Sequence, residues 1–156
     1  MNHVERAVLI AQYGTGYEVV AEALDGATEA ELDAREAPGE WSPRQVVHHL
    51  ADSEMTSTNR PRRLIAEDRP VIDGYDQEEF ARRLHYDRPI AASLATVQAV
   101  RSVAAELLDH LTDDEWAREG THAESGRYTV EDWLRIYAAH AHDHADQIRR
   151  ARAAAP

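Results

Sequence analysis

Histidine is the residue type in this sequence most able to do chemistry, because nine histidines occur in 156 residues and five of them form two clusters. Within the segment YAAHAHDHADQI, His140 and His144 are four residues apart, which places both imidazoles on one face of a helix. At about 100° per residue, His142 lies almost opposite this pair. The stripe that holds the pair also contains Trp133, Tyr137 and Ile148. We expect His140 and His144 to face the interior, as metal ligands or as hydrogen-bonded core residues, and His142 to be solvated.

The second cluster, VVHHLADSE, offers one further histidine to the same site. Adjacent side chains on a helix are about 100° apart, so His48 and His49 cannot both face inward. The inner face of this helix is defined by Val46, Leu50, Ser53 and Ser57. His49 flanks that face and His48 lies nearly opposite. His49 together with His140 and His144 would form a site between facing helices, which is where helical bundles build their metal sites.

Three neutral imidazoles are suitable ligands for Zn²⁺, Ni²⁺ or Cu²⁺. Three protein ligands also leave one coordination position open, which is typical of catalytic metal sites and not of structural ones. Because the ligands are uncharged, the ion keeps its double positive charge and lowers the pKa of a bound water or thiol. The pattern therefore favours a catalytic metal centre.

Acidic residues near the two clusters offer weaker candidates for catalysis. Asp52 and Glu54 follow the histidines of the VVHHLADSE segment and could orient a metal ligand or act as a general base. Asp143 and Asp146 project away from the histidine stripe, and we interpret them as solvated charges. The catalytic group itself therefore stays open, with Asp52 and Glu54 as the candidates for a supporting role.

Basic residues add one possible substrate contact. Arg60, Arg62 and Arg63 form a short run that could hold the carboxylate of an anionic substrate. A solvated helix end is the simpler interpretation of the same run. The remaining histidines, His3, His85, His110 and His122, lie in unrelated contexts, and no role is predicted for them.

Composition excludes several kinds of site and partner. The chain has no cysteine, so disulfides, sulfur ligands and a protein thiol nucleophile are excluded, and any reacting thiol must come from outside. A net charge of −12 opposes binding to nucleic acids and anionic membranes. No stretch approaches the roughly 18 consecutive apolar residues of a membrane span, and the N-terminal segment resembles neither a signal nor a transit peptide. We expect a cytoplasmic protein with no nucleic-acid or membrane partner.

The elements that must position these residues are predicted to be helices. A capping pair, Ser42-Pro43, starts the helix that carries the first histidine cluster, and Pro61 should bend or end it. Gly14 and Gly16 weaken the first helix. No segment shows the alternation expected of a strand, and the stretches 67–76 and REGTHAESGR are predicted to be loops. Long helices are predicted at 4–24, 43–66, 90–111 and 129–153, with a minor helix at 77–84 and one domain spanning 1–156. This is an all-α pattern, typical of a four-helix bundle.

Two segments resemble the DinB/YfiT-like metalloenzymes of the DinB superfamily. In EWSPRQVVHHLADSEM, Trp41 opens a helix and His49 follows eight residues later, and YAAHAHDHADQI resembles the family's His-x-x-x-His helix ending in Gln-Ile. The loop RPVIDGYD extends the resemblance between them. The resemblance implies an up-down-down-up four-helix bundle, a divalent metal, often nickel or zinc, on His49, His140 and His144, and frequent homodimers. Its members include bacillithiol S-transferases, mycothiol-dependent isomerases and proteins assigned as hydrolases.

These observations lead to three hypotheses about function. In the first, the metal ion activates a low-molecular-weight thiol for transfer to an electrophile, and its close alternative is a hydrolase that activates water. In the second, the chain is a non-catalytic metal-binding module, such as a stress-linked dimer. The third, DNA binding, is suggested by the family name and conflicts with the negative charge. We favour the first hypothesis, with zinc or nickel as the ion and a homodimer as the assembly.

Overall fold

Helices dominate the computed structural model, which describes residues 1–155. In chain order they are α1 (His3–Gly14), α2 (Gly16–Leu24), α3 (Glu29–Asp33), α4 (Pro43–Ser57), α5 (Asn59–Ala66), α6 (Gln77–Arg83), α7 (Ala91–Asp109), α8 (Asp113–Trp116) and α9 (Val130–Ala153). Four long segments form the bundle: α1 with α2, α4 with α5, α7, and α9. Within residues 1–155, none of the helices is long and apolar enough to cross a membrane.

Local sequence signals set where the long helices begin and break. The Ser42 side chain accepts a hydrogen bond from the Gln45 backbone N–H, and the Gln45 side chain accepts one from Ser42 N, so the predicted cap of α4 is confirmed. The first long helix breaks at Thr15, between its two glycines. The second breaks at Thr58, just before Pro61, because proline lacks the N–H that a continuous helix requires.

Two hydrophobic clusters fill the bundle and show the direction of each segment. The first cluster includes Ile10 of α1, Leu64 of α5, Leu108 of α7 and Trp133 of α9. The second includes Val20 of α2, Val46 of α4, Val97 of α7 and Ile148 of α9. The first and fourth segments thus run from the first cluster to the second, and the other two run the opposite way. The predicted up-down-down-up course is confirmed.

A small sheet lies beside the first hydrophobic cluster, so the prediction that the connecting stretches are loops was wrong there. Strand β1 (Val71–Ile72) pairs in parallel with β2 (Glu119–His122), which pairs antiparallel with β3 (Gly126–Thr129). The strands have only two to four residues, too few for alternation to show in the sequence. A Cβ at Gly120 would lie 2.4 Å from the Pro70 carbonyl oxygen, so this close contact requires glycine.

A buried ion pair joins all four segments of the bundle. The Arg101 guanidinium of α7 donates from Nη1 to Oε1 of Glu54 in α4, and both side chains are at most 1% exposed. Its Nε donates to the Tyr13 carbonyl of α1 at 2.9 Å and its Nη2 to the Tyr137 carbonyl of α9 at 3.1 Å. The Tyr13 hydroxyl donates to Glu54 Oε2 at 2.7 Å. Burial raises the pKa of the Glu54 carboxyl, while Arg101 and Tyr13 oppose that shift.

The space for Arg101 depends on a glycine, which leads to a paired prediction. A Cβ at Gly16 would lie 2.5 Å from the Arg101 guanidinium, which is held by its hydrogen bonds, whereas a Cβ at Gly14 would meet nothing within 4 Å. We expect Gly16→Ala to lower the free energy of unfolding by about 1–3 kcal/mol through overpacking. Gly14→Ala should raise it by up to about 1 kcal/mol through helix propensity. Urea unfolding of both variants checks this, and equal stabilities would contradict it.

Candidate metal centre

Three histidines from two helices converge inside the bundle. His49 comes from α4, and His140 and His144 lie one turn apart on α9. One ring nitrogen from each histidine lies within 4.8 Å of the other two. The ring centroids are 4.6–5.3 Å apart. The structure therefore brings together the three residues that the helical periodicity selected.

The distances suit a tetrahedral metal ion. The Nε2 atoms of His49 and His140 are 3.3 Å apart. Two nitrogens at about 2.0–2.1 Å from a tetrahedral zinc ion lie roughly 3.3–3.4 Å from each other. The third ring is oriented by Gln147, whose Oε1 lies 2.8 Å from His144 Nδ1. Because that oxygen can only accept, Nδ1 carries the proton and Nε2 keeps a lone pair for a metal.

Burial keeps the three imidazoles neutral, the form in which they bind metals. It lowers the pKa of His49 to about 3 and that of His140 to about 2, and the neighbouring His144 adds to both shifts. Burial also lowers the pKa of His144. Among residues 1–155, Nδ1 of His49 and Nδ1 of His140 have no hydrogen-bond partner. The two Nε2 atoms share one hydrogen bond, in which one nitrogen donates and the other accepts, whereas a cation held between them would be bound by both lone pairs.

Aromatic rings and a cavity surround the histidines. The Trp41 ring lies 4.7 Å from the His49 ring and the Tyr137 ring 5.4 Å from the His140 ring, measured between centroids. A cavity of about 310 Å³ opens onto His144, and its lining includes Glu40, Trp41, Gln77, Glu78 and Gln147. A small molecule in this cavity would reach the third histidine directly.

The two carboxylates predicted to support the metal have other partners. Asp52 Oδ2 accepts a hydrogen bond from the Tyr86 hydroxyl at 2.6 Å. Glu54 is bound by Arg101 and Tyr13. In the part of the chain that the structure describes, neither carboxylate is hydrogen-bonded to the three histidines, and none joins the cluster. Asp52 and Glu54 therefore bind side chains from other elements, and their part in catalysis stays a prediction.

Two other histidines of the clusters are more buried than the helical pattern indicates. His48 does not join the three ligands, as predicted, yet it is fully buried, with Nδ1 2.8 Å from Ser93 Oγ and Nε2 2.9 Å from the Arg88 carbonyl. The expectation that His142 is solvated was wrong, because it is partly buried with Nε2 2.9 Å from the Gln12 carbonyl. Both histidines are covered by segments distant in sequence, which a single helix pattern does not reveal.

Comparison with known proteins decides the family. Residues 12–148 match the family model of the DinB superfamily. The chain belongs to the DinB superfamily. A relative in Oceanobacillus iheyensis, named "Putative metal-dependent hydrolase OB0782", is 37% identical over 118 residues, which are 76% of this chain and 69% of the relative. A second relative, "Putative metal-dependent hydrolase YfiT" of Bacillus subtilis, is 33% identical over 129 residues, which are 81% of this chain and 72% of YfiT.

The fold agrees with a solved structure of the superfamily. The YfiT structure is described as a "probable metal-dependent hydrolase with an unusual four-helix bundle topology". The two structures superpose with a TM-score of 0.89 at 29% sequence identity. The matched region covers 95% of this chain and 86% of the YfiT chain. The predicted family and four-helix bundle are confirmed. The relatives' names and the three-histidine cluster together support a divalent metal, while the names specify neither the ion nor a substrate.

Proposed function

We propose that this protein is a metal-dependent enzyme that activates a low-molecular-weight thiol for transfer to an electrophile. The observation that carries the proposal is the convergence of three neutral imidazoles, one buried and two partly buried, beside a cavity that opens onto His144. A zinc or nickel ion, when bound, lowers the pKa of a thiol or water that joins it. Because the chain has no cysteine, the thiol is a substrate and no protein sulfur competes for the ion.

The chain's own residues orient the ligands and enclose the site. Gln147 fixes the His144 ring by its contact with Nδ1. Trp41 packs against His49 and also lines the cavity, so it limits the access of water to the histidines. Fixed ligand rings and a restricted cavity are the contributions that a protein makes to metal-ion catalysis.

A second candidate function is hydrolysis by activated water, which the names of the relatives favour. It uses the same three histidines and differs only in what occupies the open position. A non-catalytic metal-binding module is the third. Homodimer formation and a cytoplasmic location stay predictions.

The test uses untagged protein substituted with cobalt. We expect elemental analysis to find one divalent ion per chain, and we expect 2-mercaptoethanol to add a thiolate-to-cobalt charge-transfer band. Ethylene glycol, its oxygen analogue, is the matched control and should add no such band. An unchanged spectrum together with ester turnover would favour hydrolysis. Turnover of neither a thiol nor an ester, with a melting temperature that falls when the metal is removed, would favour the non-catalytic module.

A further inference from the structure

A second cavity lies beside the metal centre. It has a volume of about 290 Å³, and its lining includes Arg60, Tyr75, His122, Glu124, Tyr128 and Tyr137. Tyr137 connects it to the centre, because its ring also lies 5.4 Å from the His140 ring. A molecule held in this cavity is therefore one aromatic ring away from a metal ligand.

The arginine run that begins with Arg60 is divided by the structure. Arg63 pairs with Glu67, with Nη2 and Oε2 2.9 Å apart, and Arg62 donates to the Thr58 carbonyl at 2.7 Å. Arg60 lines the cavity and has no ion-pair partner among residues 1–155. An arginine without a carboxylate partner at a cavity wall is a ready site for an anionic group.

Two further side chains that line the same cavity carry hydrogen-bond donors. Tyr128 is 4% exposed, and its hydroxyl has no hydrogen-bond partner among the residues that the structure describes. Burial raises its pKa to about 12, and Arg60 opposes the shift, so the phenol keeps its proton at neutral pH. His122 is 7% exposed, and its Nδ1 accepts from the Glu124 N–H at 3.3 Å, which leaves Nε2 to carry the proton.

We propose that Arg60 and Tyr128 bind a carboxylate of the substrate in this cavity and so orient the substrate toward the metal centre. The proposal rests on the proposed function for the identity of the site's substrate. A carboxylate fits better than a phosphate, because one guanidinium balances one negative charge and its fork matches the two carboxylate oxygens. Glu124 is the one acidic residue in the lining and is exposed to solvent. It weakens anion binding without preventing it.

The test measures binding of benzoate to the zinc-loaded, full-length protein by isothermal titration calorimetry. We expect Arg60→Gln to weaken benzoate at least about tenfold and Tyr128→Phe about threefold, since each removes a hydrogen bond to a charged group. Glu124→Gln should strengthen binding a few-fold. Arg63→Gln, on the same helix but outside the cavity, is the matched control and should leave the affinity within about twofold of wild type.

Several outcomes would overturn the proposal. Benzoate bound only to the zinc ion would bind Arg60→Gln as tightly as wild type. If Arg60→Gln weakened the binding of methyl benzoate, the neutral ester, as much as that of benzoate, Arg60 would not contact the carboxylate. Inorganic phosphate that bound more tightly than benzoate through Arg60 would refute the choice of a carboxylate. Zinc content and circular dichroism report whether each variant is folded. If Arg60→Gln does not fold, Arg60→Lys is measured in its place. The assay measures binding and needs no turnover, so its results do not depend on whether the protein catalyses the proposed reaction.

Discussion

Single replacement of His49, His140 or His144 by alanine will remove the metal and the activity together. Each side chain supplies one of only three nitrogen ligands, and no carboxylate in residues 1–155 lies in the cluster to take its place. Loss of residues that merely orient ligands costs about 10–100-fold in metal affinity, so we expect more than about 100-fold for a ligand. Competition with a chelator of known affinity measures this loss, and elemental analysis after dialysis gives the metal content.

His142→Ala is the matched control for these three variants. His142 lies on α9 between the two predicted ligands, and its Nε2 faces the Gln12 carbonyl, 2.9 Å away. Its removal should leave the metal content at wild-type level. Full metal content in all three single variants, or an equal loss in His142→Ala, would refute the assignment of the ligands.

Arg101→Met will destabilise the fold by about 3–5 kcal/mol, because it leaves the Glu54 carboxylate buried without its cation. The Tyr13 and Tyr137 carbonyls lose their arginine donors in the same change. A domain of this kind has a free energy of unfolding of roughly 5–15 kcal/mol, so this single change removes a large share of it. Urea unfolding of the metal-free protein at neutral pH gives the value without a contribution from metal binding.

A double replacement separates the charge effect from general damage to the core. Glu54→Leu with Arg101→Met removes both charges, and such an exchange of a buried pair for apolar residues often has a small net effect. We expect the double variant to be more stable than Arg101→Met alone. Tyr13→Phe, which deletes one hydrogen bond to Glu54, should cost about 1–3 kcal/mol. A double variant less stable than Arg101→Met would show that the pair is not the source of the loss.

The convergence of the three histidines could be predicted because their spacing and positions follow the period of single helices. The four-residue spacing of His140 and His144 places them together on α9, and the position of His49 among inward residues of α4 selects it over His48. Capping residues such as Ser42 define helix starts through contacts only three residues long. Local patterns of this kind predict the structure correctly because the helix itself, and not a distant segment, determines which side chains lie together.

The features that the sequence does not predict depend on contacts between distant segments. Arg101 occupies a core position of α7, four residues after Val97. Its burial is explained by Glu54, which lies across the bundle and also binds Tyr13. A charged residue within an apolar stripe was the available signal. The sequence does not distinguish Arg60 from the neighbouring arginines. In the structure Arg63 pairs with Glu67 and Arg62 donates to the Thr58 carbonyl, while Arg60 lines the cavity. Strand β1 left no pattern because it pairs across 50 residues of chain, Val71 with Thr121, and the local hairpin of β2 and β3 is too short to show alternation.

The separation of the proposed metal ligands along the chain has a consequence for biosynthesis. His49 and His140 are 91 residues apart, and they meet only when α9 packs against α4. A ribosome adds roughly 5–20 residues per second, so several seconds pass between the synthesis of the first ligand and that of the last. Throughout that interval a lone imidazole has little ability to retain an ion. A chain that holds an ion on these three histidines, as proposed, would therefore acquire it only after α9 has docked.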